Sequence, residues 1–248
     1  MDNKENIQEF IDRFLEDNNI RVQGGKITDL KQLAFYLNKF AKNEIDKGRF
    51  EKGLYFADKS LEFDKENNHS LFLKGVALRC LGRIEESIEA LKEHYTICSD
   101  CASLLNIGFC YAQADENEKA IDYFNEGLND ISSEEYESYK DLVGLVYECM
   151  GNIYLSREDI LEFDSTDKLK MNYKFAIKYY KKSLGINKMN PILLNRLAAC
   201  YYHFDEMGKA LYCYELASEA DPEDKRYEGA ATELKNSGII SEEIDFAN

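Results

Sequence analysis

Residues 108–124 read GFCYAQADENEKAIDYF, and this stretch carries the pattern that decides the fold. Gly108 is followed three residues later by Tyr111, and Ala120 is followed four residues later by Phe124. The polar run ADEN between the two halves has the composition of a turn. Helices that cross closely need a small residue at the crossing, because a larger side chain holds the backbones apart. The stretch therefore predicts an antiparallel helix pair joined by a short turn.

The same pattern recurs along the chain. Small residues of the second helix recur at intervals of 34, 33, 56 and 34 residues, at Gly53, Ser87, Ala120, Ala176 and Ala210. A matching small residue of the first helix precedes each by 12 residues, or by 25 in the fourth case, at Ala41, Gly75, Gly108, Gly151 and Ala198. One helix pair cannot bury its apolar faces alone, so consecutive pairs must stack. About twelve helices and no sheet are predicted, which the scarcity of proline (two in the chain) favours.

These residues closely resemble the tetratricopeptide-repeat family. In the last repeat the residues that match the family motif are Leu197, Ala198, Tyr201, Ala210, Tyr214, Ala217 and Pro222. The resemblance covers residues 34–224 and implies an all-α fold, a right-handed superhelical α-solenoid of stacked antiparallel helix pairs. Such repeats bind very diverse partners, so the resemblance is more specific for fold than for function.

The predicted organisation places a capping helix and loop at residues 1–33 and a capping helix and tail at 225–248. Five repeats lie between them, at 34–67, 68–100, 101–134, 144–190 and 191–224. The amphipathic spacing of Ile7, Phe10 and Ile11 predicts the first capping helix, which a loop containing Gly24 and Gly25 follows. A closing helix is predicted from Tyr227 to Leu234.

The fourth repeat carries insertions. Its longer spacing predicts an overlong helical hairpin whose tip, at residues 162–166, projects past its neighbours and offers Leu161 and Phe163 as a second contact. Ser132 and Glu135 have the spacing of a capping box, so we expect its first helix to begin near them. Other departures from the motif are Glu44 in an aromatic slot, Lys74 in an apolar slot and His94 in a small slot. These departures predict looser packing or a shifted register in the first two repeats.

The resemblance implies that the first helix of each repeat lines a concave face that binds the partner. Projecting that register predicts the contact residues Asn38, Lys39, Lys42, Phe72, Leu73, Val76, Arg79, Leu105, Asn106, Phe109, Gln113, Asn152, Asn195, Arg196 and Tyr202. Phe72, Leu73 and Phe109 are expected to act as apolar anchors. Asn106 is expected to hold the peptide main chain, because an amide both donates and accepts. The alternative is that Phe72, Leu73 and Val76 are covered by the preceding helices.

Composition and charge narrow the classes of partner and the compartment. The 47 acidic and 31 basic residues give a net charge of −16, a surface field that repels nucleic acid and anionic membranes. No run approaches 18 apolar residues, so no membrane span is expected. The polar N-terminus lacks an apolar secretion segment, and the cysteine count of seven is odd. A cytoplasmic protein with reduced thiols is the expectation.

Sequence motifs of catalysis are missing, and we expect no catalytic, cofactor or metal site. The sequence contains no glycine-rich phosphate loop and no HExxH motif. His94, Cys98 and Cys101 fall within eight residues, but zinc would need a fourth ligand, for which Cys80 is nearest in sequence. A metal-free role is expected for this cluster, and zinc or redox function stays an alternative.

The function predicted from the sequence is a protein–protein interaction scaffold that binds a peptide or helix of a partner, as a monomer or weak homodimer. The alternative is a regulatory sensor that responds to a peptide or small ligand. Some relatives clamp the C-terminal carboxylate of chaperones. The first pair of that clamp corresponds here to Asn38 and Lys42, reversed in type. The other equivalent positions carry Leu73, Ala102 and Asn106, so a chaperone-tail role is the less favoured interpretation.

Overall fold

The computed structural model describes residues 3–18, 20, 27–156 and 166–246, and within these ranges it contains helices and no strand. The helices found there are α1 Asn3–Asp17, α2 Leu30–Asp46, α3 Phe50–Phe63, α4 Asn68–Cys80, α5 Ile84–Cys98, α6 Cys101–Gln113, α7 Asn117–Asp130, α8 Tyr136–Ser156, α9 Thr166–Ile186, α10 Pro191–His203, α11 Met207–Ala220 and α12 Lys225–Asn236. The predicted all-α class with about twelve helices is confirmed. The predicted loop with Gly24 and Gly25 and the side chains of Ile7 and Phe10 lie outside what is described.

The helices form two compact units, Met1–Asp130 and Ile131–Asn248, here called the N-terminal and C-terminal units. In the N-terminal unit each helix from α2 to α7 packs against the next one along the chain. In the C-terminal unit the same holds from α8 to α12. Packing between sequence neighbours is the arrangement that repeats of helix pairs require, since each pair buries its apolar face against the next.

The small residues of the repeat lie where the two helices of a pair cross. In repeat two the Ser87 hydroxyl donates to the carbonyl oxygen of Gly75, at 2.7 Å. A Cβ on Gly75 would lie 2.5 Å from Cγ of Leu91, and a Cβ on Gly151 would lie 2.4 Å from Cε1 of Tyr180. The glycine of the first helix therefore makes room for a large residue on the second helix, and the serine fits against the glycine backbone.

A second kind of contact between the two helices of a pair is found in both units. It is a hydrogen bond from a serine that lies about two turns from the crossing. The Ser60 hydroxyl donates to the Ala34 carbonyl oxygen at 2.9 Å. The Ser183 hydroxyl donates to the Gly144 carbonyl oxygen at the same distance. Buried hydroxyls need such partners, because an unsatisfied one costs free energy. The two bonds keep both repeats in the same register.

Polar partners accommodate two departures from the motif. Glu44 is 8% exposed and accepts from Nε of Arg49 at 2.9 Å, with Lys47 at 4.0 Å. Lys74 forms an ion pair with Asp58 at 2.8 Å. A buried carboxylate is tolerated when it is paired and hydrogen-bonded, so the aromatic slot can hold glutamate here.

His94 fills the slot that Ser60 and Ser183 occupy in other repeats, and it does so by contacting the next repeat. Its Nδ1 lies 2.7 Å from the hydroxyl of Ser103 on α6, and its ring lies 5.4 Å from the ring of Phe72. Burial lowers the pKa of His94, which favours the neutral imidazole. The predicted shift of register is wrong for repeat two, because the bond between Ser87 and Gly75 keeps the common register.

The fourth repeat has the longest helices among those described, as predicted. α8 and α9 each contain 21 residues. The capping box is confirmed, since Glu135 N donates to the Ser132 hydroxyl and Ser132 N donates to the Glu135 carboxylate, both at 3.3 Å. The first helix thus begins at Tyr136, ahead of the predicted repeat boundary at residue 144. The predicted tip with Leu161 and Phe163 lies outside the described residues.

The C-terminal unit closes with α12, which contains the predicted closing helix Tyr227–Leu234. The main chain then runs without helix through residues 239–246, back along α11. The sequence had no periodicity from which this return could be predicted.

Candidate partner-binding face

The predicted contact residues of the N-terminal unit lie on α2, α4 and α6, the first helices of its three repeats. The structure divides them by exposure. Those that reach the surface, here called the first-helix face, are Lys39, Lys42, Phe72, Val76, Arg79, Phe109 and Gln113. The remaining ones are buried.

Four predicted contact residues are corrected, because their side chains are buried in the unit. Leu73 and Leu105 lie in the core. Asn38 donates to the side-chain oxygen of Asn67 at 2.8 Å, and it also accepts from the Ser70 hydroxyl. Asn106 donates to the carbonyl oxygen of Ala102 in its own helix, at 2.8 Å. The buried side chains are used within the unit and present nothing to a partner.

Arg79 and Phe109 form the centre of the first-helix face. The guanidinium carbon of Arg79, on α4, lies 5.3 Å from the centroid of the Phe109 ring on α6. The Phe109 ring also contacts Phe124 edge to face, with centroids 5.0 Å apart. A cation over an aromatic face is attracted by the ring quadrupole, so Phe109 holds Arg79 across the two repeats.

Arg79 has an unmet hydrogen-bonding requirement. Its Nε is buried and has no hydrogen-bond partner among the residues described. Leaving a buried donor unsatisfied costs about 1–3 kcal/mol. Because Nε is enclosed, an acceptor from outside the unit would have to bind the other nitrogens of the half-buried guanidinium.

Other side chains extend the face on either side of Arg79. Lys39 Nζ lies 4.6 Å from the centroid of the Phe35 ring, and Phe35 is among the exposed large apolar residues. Lys42 is exposed and paired with Asp46 at 2.6 Å. Phe72 is half-buried, and so the alternative that preceding helices cover it holds only in part. The face combines cations with aromatic surface on a chain whose net charge is −16.

In the C-terminal unit two of the predicted contact residues have an internal role. Arg196 on α10 donates to Glu148 at 3.0 Å and to the Asn152 side-chain oxygen at 2.9 Å, both on α8. The Tyr180 hydroxyl donates to the same oxygen at 2.9 Å, and burial raises the pKa of Tyr180. This network joins three helices. Asn152 and Arg196 are thus committed to holding α8 and α10 together.

The predicted residues Asn195 and Tyr202 are exposed on α10. Sequence reasoning missed two further exposed residues, Leu145 on α8 and Ile192 on α10, each 56% exposed. Both stand six residues before the small residue of the first helix, the register that holds Phe35 in repeat one. That shared register was the signal that could have found them.

The His94, Cys98 and Cys101 side chains do not converge on a shared metal site among the described residues. Among the described residues no group of three or more His, Cys, Asp and Glu side chains could hold a metal ion. His94 bonds Ser103, whereas the thiol of Cys98 accepts from the amide of Asn68 at 2.8 Å. None of the seven cysteines forms a disulfide bond. In the part of the chain described, none of the helices has the length and apolar character that a membrane crossing requires.

Comparison with known proteins shows what this chain is similar to. No family model matches it. It is 25% identical over 156 residues to Tetratricopeptide repeat protein 1 of Schizosaccharomyces pombe, which covers 63% of this chain and 14% of that protein. It is 29% identical over 83 residues to a TPR repeat-containing protein of Methanocaldococcus jannaschii, covering 34% of this chain and 26% of the relative. The chain therefore spans about a quarter or less of the length of these relatives.

Among solved structures, the fold is similar to that of PilF from Pseudomonas aeruginosa. The TM-score is 0.64 at 18% identity, and the match covers 84% of this chain and 86% of the other. At that level of identity the likeness concerns the fold alone. It agrees with the stacked helix pairs described above.

Proposed function

This chain is a tetratricopeptide-repeat protein, and we propose that it binds an extended, carboxylate-bearing segment of a partner protein on the first-helix face of its N-terminal unit. Proteins of this fold serve in general as protein-interaction scaffolds, and the fold in general does not carry catalysis. The proposal goes further by naming one face and one chemistry. The observation that carries it is the half-buried Arg79, whose guanidinium lies 5.3 Å from the Phe109 ring on this face.

The chemistry of Arg79 selects a carboxylate. A guanidinium presents its donors in a planar fork that matches a carboxylate, and such bonds are stronger than neutral ones. Because Phe109 lies against the guanidinium, the fork is held in place before binding. Preorganisation reduces the ordering cost of association. One aspartate or glutamate side chain, or a free C-terminal carboxylate, meets this requirement.

The surroundings of Arg79 add an apolar requirement. Val76 and Phe72 precede it by one and two turns on α4 and are half-buried. A large apolar side chain next to the carboxylate would cover them, and each such anchor contributes about 1.5–3 kcal/mol when it is fully buried. A few anchors of this size suffice for micromolar binding. The proposed ligand thus has an acidic residue beside a large apolar one.

Selection from a library of displayed linear peptides tests the proposal. The full chain is the bait, and parallel selections use Arg79→Gln and, as a matched control, Arg83→Gln. Arg83 is exposed and paired with Glu86, so its loss should not affect this face. We expect peptides with an acidic residue beside a large apolar residue from the parent and from Arg83→Gln. Recovery of the same peptides from Arg79→Gln would contradict the proposal.

Compartment and assembly belong to the same proposal. We propose that the protein works in the cytoplasm as a monomer that does not bind nucleic acid, and its seven cysteines, which form no disulfide bond, support that compartment. Thiol titration of protein from its source cells and sedimentation of the purified chain test these two points. Oxidised thiols or a stable dimer would contradict them.

A further inference from the structure

Residues 239–246, IISEEIDF, lie on a face formed by α9 and α11, the second helices of the C-terminal unit. Glu242 N donates to the Gly208 carbonyl oxygen at 3.0 Å. Ile244 is only 7% exposed and belongs to the unit's core cluster. The Phe246 ring stacks on Tyr212, with centroids 6.5 Å apart. The segment is therefore docked through its main chain and through two apolar side chains.

Two glycines lie where the segment approaches the helices most closely. A Cβ on Gly208 of α11 would lie 2.8 Å from the Ile240 carbonyl oxygen. A Cβ on Gly185 of α9 would lie 2.9 Å from the Phe246 carbonyl oxygen. Gly208 is the second residue of α11, and Gly185 is the last residue but one of α9. At both positions the bare Cα admits the backbone of the segment, which any side chain would push away.

The other repeats do not carry glycine at these positions. At the register of Gly208 they have Glu51, Glu85, Glu118 and Lys174. At the register of Gly185 they have Glu62, Thr96, Asn129 and Glu219. These are polar or charged residues of ordinary solvent-facing helix positions. The two glycines are thus particular to the face that the segment covers.

We propose that this α9/α11 face is a second peptide-binding site, which residues 239–246 occupy in cis. The partner that it fits is an extended segment of another protein with an aliphatic residue, an aromatic residue two positions later, and carboxylates before them. The aliphatic side chain takes the place of Ile244, and the aromatic ring stacks on Tyr212. Different helices form this site and the first-helix face, so the two proposals stand independently.

Charge and space on the face agree with this partner. Lys209 lies 3.8 Å from the carboxylate of Glu242, and its other partner is Glu206. A cavity of about 670 Å³ beside the segment is lined by Lys188, Met189 and Leu216 as well as by the segment itself. The segment therefore leaves part of the face uncovered. A longer or bulkier segment from a partner gains contacts that residues 239–246 do not make.

Because residues 239–246 already occupy the α9/α11 face, they weaken the binding of a partner's segment to it. The segment joins α12 through Ser237 and Gly238, so it stays near the face at a high effective concentration. A free peptide of the same sequence must compete with it. Binding in trans is therefore weak to the intact chain and strong once the segment is released.

The test uses the full chain and a fluorescein-labelled synthetic peptide with the sequence of residues 239–246, followed by fluorescence anisotropy. Ile244→Asp releases the segment, because a buried carboxylate without a partner is costly. We expect the peptide to bind Ile244→Asp saturably and at least tenfold more tightly than the parent chain. Adding Gly208→Glu to Ile244→Asp blocks the face with the residue that three other repeats carry, and binding should be lost.

Phe246→Ala gives a second route to release and should also strengthen binding of the peptide. Circular dichroism and urea titration establish that each variant is folded. The proposal is overturned if folded Ile244→Asp and Phe246→Ala do not bind the peptide, or if the parent binds it equally well. It is also overturned if Gly208→Glu leaves binding intact. If both release variants unfold, the segment is an obligatory part of the core and not a ligand.

Discussion

Replacement of Gly151 by alanine tests the physical basis of the repeat. A Cβ at this position would lie 2.4 Å from Cε1 and 2.5 Å from Cδ1 of Tyr180, where ordinary contact begins near 3.4 Å. The buried ring must therefore move by about 1 Å. Its hydroxyl, which donates to Asn152 at 2.9 Å, moves with it and weakens the network between α8 and α10.

The expected magnitude follows from two opposing effects. Overpacking in a close-packed interior costs about 1–3 kcal/mol. The higher helix propensity of alanine than of glycine raises the free energy of unfolding by about 0.8–1.0 kcal/mol. We therefore expect Gly151→Ala to lower the free energy of unfolding of the C-terminal unit by up to about 2 kcal/mol.

Gly229 provides a matched control in the same unit. It lies inside α12, and a Cβ there would meet no atom within 4 Å. Gly229→Ala should therefore stabilise the unit by about 0.5–1 kcal/mol through propensity alone. The assay is urea unfolding followed by far-ultraviolet circular dichroism. Equal shifts for the two variants would refute the account of the crossing, because the same chemical change would then have the same effect with and without Tyr180.

Three further predictions concern the N-terminal unit. Burial lowers the pKa of His94, so protonation favours the unfolded chain and stability falls as pH drops below about 6.5. His94→Gln should reduce this fall between pH 7.5 and 5.5 in urea titrations. Glu44→Ala removes the buried carboxylate that accepts from Arg49 and should cost about 1.5–3 kcal/mol in the same assay, against less than about 0.5 kcal/mol for the exposed Glu51→Ala. Ala120→Leu should overpack the α6/α7 crossing and cost about 1–3 kcal/mol, and an unchanged melting temperature would contradict that placement.

The repeat could be predicted because the crossing depends on residue size at fixed spacing. Gly75, Gly108 and Gly151 each stand 12 or 25 residues before the small residue of the second helix, and each meets a large side chain of that helix. The spacing of residues along the sequence predicts only which side of a helix a residue faces. It does not state how closely the neighbouring repeat covers that side, and for this reason the burial of Asn38 and Asn106 was missed.

Contacts between repeats and outside the repeats were harder to foresee. His94 fits its slot only because Ser103, from the next repeat, accepts or donates a hydrogen bond. The docking of residues 239–246 has no periodic signal, since the segment is extended and short. The sequence signal of this docking was Gly185 and Gly208, because the other repeats carry polar residues at the equivalent positions.

The most direct test of the proposed function is the affinity of a peptide selected on the parent chain for Arg79→Gln and Arg83→Gln, measured by isothermal titration calorimetry. Hydrogen bonds to charged groups contribute about 1.5–3 kcal/mol, and each 1.4 kcal/mol is about tenfold in Kd. We predict that Kd rises about 10- to 100-fold for Arg79→Gln and stays within about twofold of the parent for Arg83→Gln. A Kd that is unchanged in folded Arg79→Gln would contradict the proposed function, since the Arg79 guanidinium would then have no part in binding.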